Sequence, residues 1–223
     1  TFSYTRTNMY NSSDNKSVAR GGIVLAALNT PAFLPIYAEQ LKVREKDPVT
    51  GQYINGYKDG QFAQNPYQSS WENPVAYQSQ KDENVTDRFL SSLNFEVNLL
   101  KNLVWKPAFT LDYMNLKNEK FIDPYRTSYG RQESGTGSLD NYLYQNYNIE
   151  NTLNYKLNQE AHDFGFIVGN SIQENKYKRH GYWGRNFPTD IRSFDYNLAR
   201  VDSRTQSRDE SITRYVSYFG QAN

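Results

Sequence analysis

Two histidines, His162 and His180, are the only imidazoles in the chain, and there is no cysteine. Acid–base catalysis and zinc binding need such groups at fixed spacing to their partners, and no HExxH arrangement is present. Both histidines fall in turn-like or loop-like polar sequence, which suits a solvated or loop-stabilising role. Glu72, Asp82, Glu83 and Asp87 supply carboxylates for a glycosidase-type pair, but their spacing in a polar segment suits a solvated face better. Gly135-Thr136-Gly137 lacks both the GK[ST] and the following helix of a phosphate loop. The expectation is therefore a protein that is not an enzyme, with no catalytic residue, cofactor site or metal site.

Aromatic side chains are the stronger candidates for contact chemistry. Tyr53, Tyr57, Tyr67, Trp71 and Tyr77 lie in one long polar segment, and Tyr177, Tyr182, Trp183, Arg185 and Phe187 lie in another. Rings stack on sugar faces or pack on peptide side chains, and a Tyr hydroxyl or Trp N–H adds a polar handle. Packing among the loops is the first reading, contact with a partner protein the second, and direct contact with a substrate the third.

Composition bounds what can position these groups. The 223 residues carry a net charge of +1 and are 37% hydrophobic, yet 15% are aromatic, including 19 Tyr. With a mean hydropathy of -0.85 the chain is polar but rich in rings. A disordered chain would lack aromatics, and a nucleic-acid binder would carry a basic excess. The longest apolar stretch, residues 21–28 (GGIVLAAL), is far short of the ~18 residues of a spanning helix. A transmembrane barrel stays open, because its lumen side, turns and external loops are polar.

Residues 87–115 give the clearest structural signal. Phe89, Leu93, Phe95, Val97 and Leu99 alternate with Leu90, Ser92, Asn94, Glu96 and Asn98; after residues 100–103, Trp105, Pro107, Phe109, Leu111 and Tyr113 alternate with Lys106, Ala108, Thr110 and Asp112. A period of two is a strand, so this is a long hairpin. Residues 142–157 and 163–173 repeat it, with Tyr147, Ile149, Leu153, Tyr155 and Leu157 on one arm and Phe164, Phe166, Val168 and Ile172 on the other. Asn151 and Asn170 interrupt the apolar faces. Residues 1–8 and 213–223 read as further strands.

Between these runs lie polar segments at 9–86, 117–140 and 174–212, with turn signals at Asp47-Pro48, Thr50-Gly51, Asn55-Gly56 and Asp59-Gly60. Residues 17–28 suit a short helix with Ser17 as N-cap and Pro31 as stop. The segment 135–138 is the most flexible-looking part of its loop. Short and long connections alternate strictly over about six strands, as in an antiparallel membrane barrel with short periplasmic turns and long extracellular loops. Six tilted strands cannot close a wide barrel, and an open edge is not tolerated in lipid, so the chain is expected to be part of something larger.

The ordered blocks 27–31 (ALNTP), 35–37 (PIY), 73–77 (NPVAY), 87–90 (DRFL), 150–155 (ENTLNY), 187–190 (FPTD) and 217–223 (SYFGQAN) resemble the barrel region of SusC/RagA-type TonB-dependent outer-membrane transporters of the Bacteroidetes. The resemblance covers nearly the whole chain. It implies an all-β fold: a segment of an antiparallel transmembrane β-barrel of roughly 22 strands with a plugged lumen. Residues 1–223 would be part of the receptor barrel, with 9–86, 117–140 and 174–212 extracellular and no plug domain in this chain.

Further implications of the resemblance are an outer-membrane location with loops on the cell surface and active import of oligosaccharides or oligopeptides in nutrient uptake. The partners it implies are a SusD-like surface lipoprotein, TonB through parts outside this chain, and outer-membrane lipid, but no nucleic acid. Phe95, Val97, Trp105, Phe109, Leu111 and Tyr113 would form the lipid-facing band, with Tyr147 and Tyr155 in band or girdle, while Glu96, Asn98, Lys106 and Asp112 face the lumen. Residues 89–99 would descend, Lys101-Asn102 turn at the periplasmic rim and residues 104–113 return to the surface. Tyr53, Tyr57, Trp71, Tyr77, Tyr182, Trp183 and Arg185 would be the candidate substrate or partner contacts. Asn11-Ser12-Ser13, Asn15-Lys16-Ser17 and Asn84-Val85-Thr86 match glycosylation sequons only by chance in such a protein.

Two other readings compete. One is a secreted, soluble β-sandwich that binds glycans through aromatic loops; it requires Leu93, Phe95, Phe109 and Leu111 to be buried between two sheets. The other is an outer-membrane scaffold without transport, which requires no lid lipoprotein.

Overall fold

The computed structural model describes residues 1–11, 22–37, 41–46, 53–58, 62, 63, 65, 67, 72–78, 80–159, 162–188 and 193–223, with 41–46 and 53–58 described at the backbone. Long antiparallel strands dominate. In chain order the elements are β1 (Phe2–Tyr10), α1 (Gly22–Asn29), β2 (Leu41–Lys46), β3 (Tyr53–Lys58), α2 (Pro74–Gln78), β4 (Lys81–Asn94), β5 (Val97–Leu100), β6 (Leu103–Ile122), α3 (Ser128–Glu133), β7 (Thr136–Gln159), β8 (His162–Arg185) and β9 (Thr205–Ala222). One sheet runs β1-β4-β6-β7-β8-β9 with β5 also on β6, and β2 and β3 pair separately. The large sheet is antiparallel throughout and open, with β1 and β9 at its edges.

β4 and β5 are two parts of one arm. Asn94 pairs with Ala108 and Val97 with Trp105, so the register carries through the gap without a slip. Phe95 N donates to Pro107 O at 3.0 Å, but Pro107 has no N–H to return the bond, and the ladder is interrupted there; a shift of register follows only beyond Asn98, next to the tight turn. The run read from residue 89 to 99 is therefore a single interrupted strand.

Every strand expected from alternation is present, and most extend well past it. β4 starts at Lys81, β6 runs to Ile122, β7 starts at Thr136, β8 runs to Arg185 and β9 starts at Thr205. The long connections shrink to 11–80, 123–135 and 186–204, against the expected 9–86, 117–140 and 174–212. Alternation marks only where one sheet face is apolar and the other polar; past that zone both faces are polar and pairing alone makes the strand. The two tight reversals, at Lys101-Asn102 and past the Gln159–His162 pair, lie at one end of the sheet and the long connections at the other.

Residues 11–80 are not featureless. α1 ends at Asn29, whose Nδ2 donates to Leu25 O at 2.8 Å, while Thr30 Oγ1 donates to Ala26 O at 2.6 Å just before Pro31. Ser17, the expected cap, lies outside the described residues. Asn55-Gly56 is not a turn but sits within β3, opposite Arg44 and Val43. Asp47-Pro48, Thr50-Gly51 and Asp59-Gly60 lie outside the described residues.

At the long-loop end, Phe121 from β6 packs with Phe187, Phe194 and Ala199 of the 186–204 loop, and Leu139, Tyr182 and Tyr196 close around them. The glycines read as flexible are closely packed here: a Cβ on Gly137 would lie 2.4 Å from Phe194 and 2.9 Å from Phe121, and Gly135 takes φ +81°. Gly135 N donates to Gly130 O at 2.8 Å and closes α3, and Phe187 N donates to Ser134 O at 2.8 Å, tying the two loops together. Gly137→Ala is expected to displace Phe194 at a cost of about 1–3 kcal/mol. Limited proteolysis checks it: cleavage within 186–204 should be faster in the variant, and unchanged cleavage counts against this packing.

Candidate functional site

Two unlike faces of the sheet are the surfaces on which function can act. On the first, register brings together Phe89, Leu93, Val97, Trp105, Phe109, Leu111, Tyr113, Tyr147, Ile149, Leu153, Tyr155, Phe166, Val168, Ile172 and Val216. The face is open: Phe95 is 59% exposed, Val168 55% and Val216 58%. Val97, Trp105 and Tyr113 are also exposed, while Phe109 and Leu111 are half-buried within the sheet. Asn151 and Asn170 are direct register partners, so the two interruptions of the apolar pattern stand side by side.

The second face is polar and carries ordered ion pairs. Arg88 grips Asp112 through two bonds, Nε to Oδ1 at 2.9 Å and Nη2 to Oδ2 at 2.7 Å. Arg179 donates from Nε and Nη2 to Asp140 Oδ1 at 3.1 and 2.9 Å, with Asp209 at 3.7 Å. Lys106 meets Glu96 at 2.9 Å. Between the two arginine pairs stand three rings: Tyr144 and Tyr177 lie 5.2 Å apart between centroids, and the Arg179 guanidinium lies 5.6 Å over Tyr142. Gly181 leaves room for this arrangement, since a Cβ there would lie 2.8 Å from the Asp140 carboxylate.

The aromatic residues expected to act together are dispersed. Tyr77 in α2 is 1% exposed and fills the loop interior, so its ring is withdrawn from any contact surface. Tyr182 and Trp183 are neighbours in β8 and therefore point to opposite faces: Tyr182 packs edge-on against Tyr196 at 5.3 Å, whereas Trp183 is 40% exposed on the polar side. Arg185 pairs with Glu133 at 3.0 Å in the loop layer. Phe187 is buried in the core cluster, and Tyr67 is 77% exposed near Phe33. Trp71 and the side chains of Tyr53 and Tyr57 lie outside the described residues.

The tyrosines that do converge, Tyr142, Tyr144 and Tyr177, come from two neighbouring strands, and their convergence follows from register. In the sequence they stand on the polar alternation, where two rings at successive polar positions of β7, Tyr142 and Tyr144, are the signal that could have marked them.

Glu72, Asp82, Glu83 and Asp87 do not face one another; Glu83 stands opposite Glu119, with Lys81 between the two carboxylates. Asp82 meets Lys120 at 3.3 Å on the polar face, while Glu83 and Asp87 lie on the other face of β4 and bond Lys81 and Tyr4. Glu72 is buried in the loop layer. His162 opens β8 at the tight-turn end, and His180 lies within β8 opposite Asn141 rather than in a loop. Among the described residues, no group of three His, Asp and Glu side chains is arranged to hold a metal ion. No family model matches the chain, and no curated protein matches it either.

One carboxylate holds the loop layer to the sheet. Glu119 is almost enclosed, accepts from Lys81 at 2.8 Å and Lys117 at 3.1 Å, and takes the Phe194 N–H at 3.2 Å. Burial pushes its pKa up, but the hydrogen bonds from the two lysines outweigh burial and hold it below the ordinary carboxylate value. A depressed folded-state pKa contributes stability that is complete above the unfolded value and is lost as pH falls through the folded one. Acidification below the ordinary carboxylate range should therefore free the 186–204 loop, read as a rise in its backbone hydrogen exchange. Glu119→Gln should weaken the loop at neutral pH and flatten this acid dependence; an unaltered acid response in the variant counts against Glu119 as its source.

Proposed function

We propose that this chain is the wall of an outer-membrane β-barrel that imports oligosaccharides or oligopeptides, as part of a SusC-like TonB-dependent transporter lidded by a SusD-like lipoprotein. The observation that carries the reading is the shape of the apolar band. Its upper edge is set by Tyr4, Phe89, Tyr113, Tyr147, Ile172 and Val216, and two residues further on each strand stand Arg6, Asp87, Asn115, Gln145, Glu174 and Arg214. Tyr4, Phe89 and Tyr113 share one register row, whereas Ile172 and Val216 lie on the row of Phe109, four residues lower.

That descent has the slope of a membrane barrel. Four residues at ~3.3 Å drop ~13 Å over five strand spacings of ~4.8 Å, which is about 30° and close to the ~35–45° tilt of barrel strands. The band covers residues 103–113 in β6, 147–157 in β7 and 164–172 in β8. These runs match the ~9–11 residues that a tilted strand needs to cross a bilayer. Trp105 and Tyr113 in β6 and Tyr147 and Tyr155 in β7 stand near the band's ends, where interfacial aromatics belong. A sandwich core would need a second sheet over this face, and the exposure of Phe95, Val168 and Val216 favours lipid as its cover. In this reading the polar face lines the lumen, and the reaction is binding and translocation without bond cleavage.

Neighbouring residues test the orientation, since the chain has no cysteine of its own. In the full-length protein in lipid vesicles, Ile149→Cys should react with a lipid-soluble maleimide but resist a charged thiol reagent. Asn148→Cys should react with both. Equal labelling of the two by the charged reagent sinks the barrel reading. The transport step is checked in cells: uptake should require the proton-motive force, and the protein should co-purify with a surface lipoprotein. Uptake by de-energised cells, or a transporter that purifies alone, overturns that part.

A further inference from the structure

We propose that the tyrosine wall of the polar face, formed by Tyr142, Tyr144 and Tyr177 with the Asn84–Asn118 amide pair opposite, binds an uncharged oligosaccharide. The inference rests on the lumen-facing orientation proposed above and adds the ligand class and the residues that take it.

The wall has the form of a site. A concavity of ≈ 450 Å³ is lined by Met9, Asn84, Leu116, Asn118, Tyr142 and Tyr144. Tyr142 lies in register between Leu116 and Arg179: the guanidinium occupies one flank of the ring, and the concavity opens on the other. Asn118 Nδ2 donates to Asn84 Oδ1, which fixes the two amides on the facing strands β4 and β6. Thr7 and Thr86 add hydroxyls on the neighbouring row, that of Leu116 and Tyr142. The rings therefore stand across from hydrogen-bonding amides, the arrangement that takes a sugar ring on its C–H face and its hydroxyl edge together.

Charge and backbone decide between glycan and peptide. The formal charges bordering the wall are in ion pairs, Arg88 with Asp112 and Arg179 with Asp140 and Asp209. A charged cargo would have to break one of these pairs to be neutralised, whereas a neutral polyol leaves them intact. Extended peptides bind sheets chiefly by adding a strand at an edge. β4, β6, β7 and β8 are all internal, with their ladders already paired on both sides. The wall sits only a few residues above the apolar band, where the strands rise towards the long loops, so a ligand entering from that side meets it before the membrane level.

The experiment uses the full-length protein in detergent and isothermal titration with two probe sets. One holds neutral glucan, xylan, fructan and mannan hexasaccharides; the other holds neutral, lysine-rich and glutamate-rich heptapeptides. At least one glycan should bind, and Tyr142→Ala, Tyr144→Ala and Tyr177→Ala should each weaken it by about 10-fold or more. Tyr144→Phe should stay within about 3-fold, because stacking survives loss of the hydroxyl. Tyr147→Ala, on the opposite face, should bind normally. Binding of peptides only, of no probe, or of a glycan indifferent to all three alanines overturns the proposal. The Ile149 and Asn148 cysteine labels are read on the same protein in vesicles: correct sidedness without glycan binding removes the ligand assignment alone, and lost sidedness removes the orientation beneath it.

Discussion

If β7 slipped by a single residue against β8, Tyr147, Ile149, Leu153 and Tyr155 would exchange faces with Asn146, Asn148, Thr152 and Asn154, and the apolar band would be cut in two. Slips of this kind are opposed, strand pair by strand pair, by the fit of side chains on the polar face. Arg88 reaches Asp112 and Arg179 reaches Asp140 only in the observed alignment, and Gly169 takes the ring of Phe219 where a Cβ would lie 2.4 Å away. The same alignment aims the apolar side chains one way and the tyrosine wall the other. The apolar surface thus depends on pairing that the polar one helps to enforce.

Above the band the sheet changes its means of cohesion. Glu119, Lys81 and Lys117 replace apolar side chains on the same face, and the 186–204 loop supplies the cover through Phe187 and Phe194. Exposed ion pairs contribute little each. An almost enclosed carboxylate that also receives a backbone N–H is a different case, because losing its partners would leave a buried charge. The long-loop end is therefore held by a few specific contacts, and the strand zone by many equivalent ones.

The strands were legible in the sequence where the two faces differ in polarity, as at Trp105 to Tyr113 against Lys106 to Asp112. Their upper halves were not, because residues such as 114–120 are polar or mixed on both faces and only the partner strand makes them extended. The hairpin of β2 and β3 escaped notice for the same reason, and Asn55-Gly56 misled because a turn dipeptide also fits a strand when its partner permits. Rings cluster in sequence within the loops, which is why linear reading places the candidate contacts there. Tyr142, Tyr144 and Tyr177 come together by cross-strand register, which no linear spacing expresses.

The missing bond at Pro107 has a mechanical consequence. Phe95 and Pro107 share one hydrogen bond where a regular pair would share two, and Asn151 and Asn170 continue the same row across the sheet. The β4–β6 seam is thereby left with one slack stitch, a place where the two strands part locally before the ladders on either side give way.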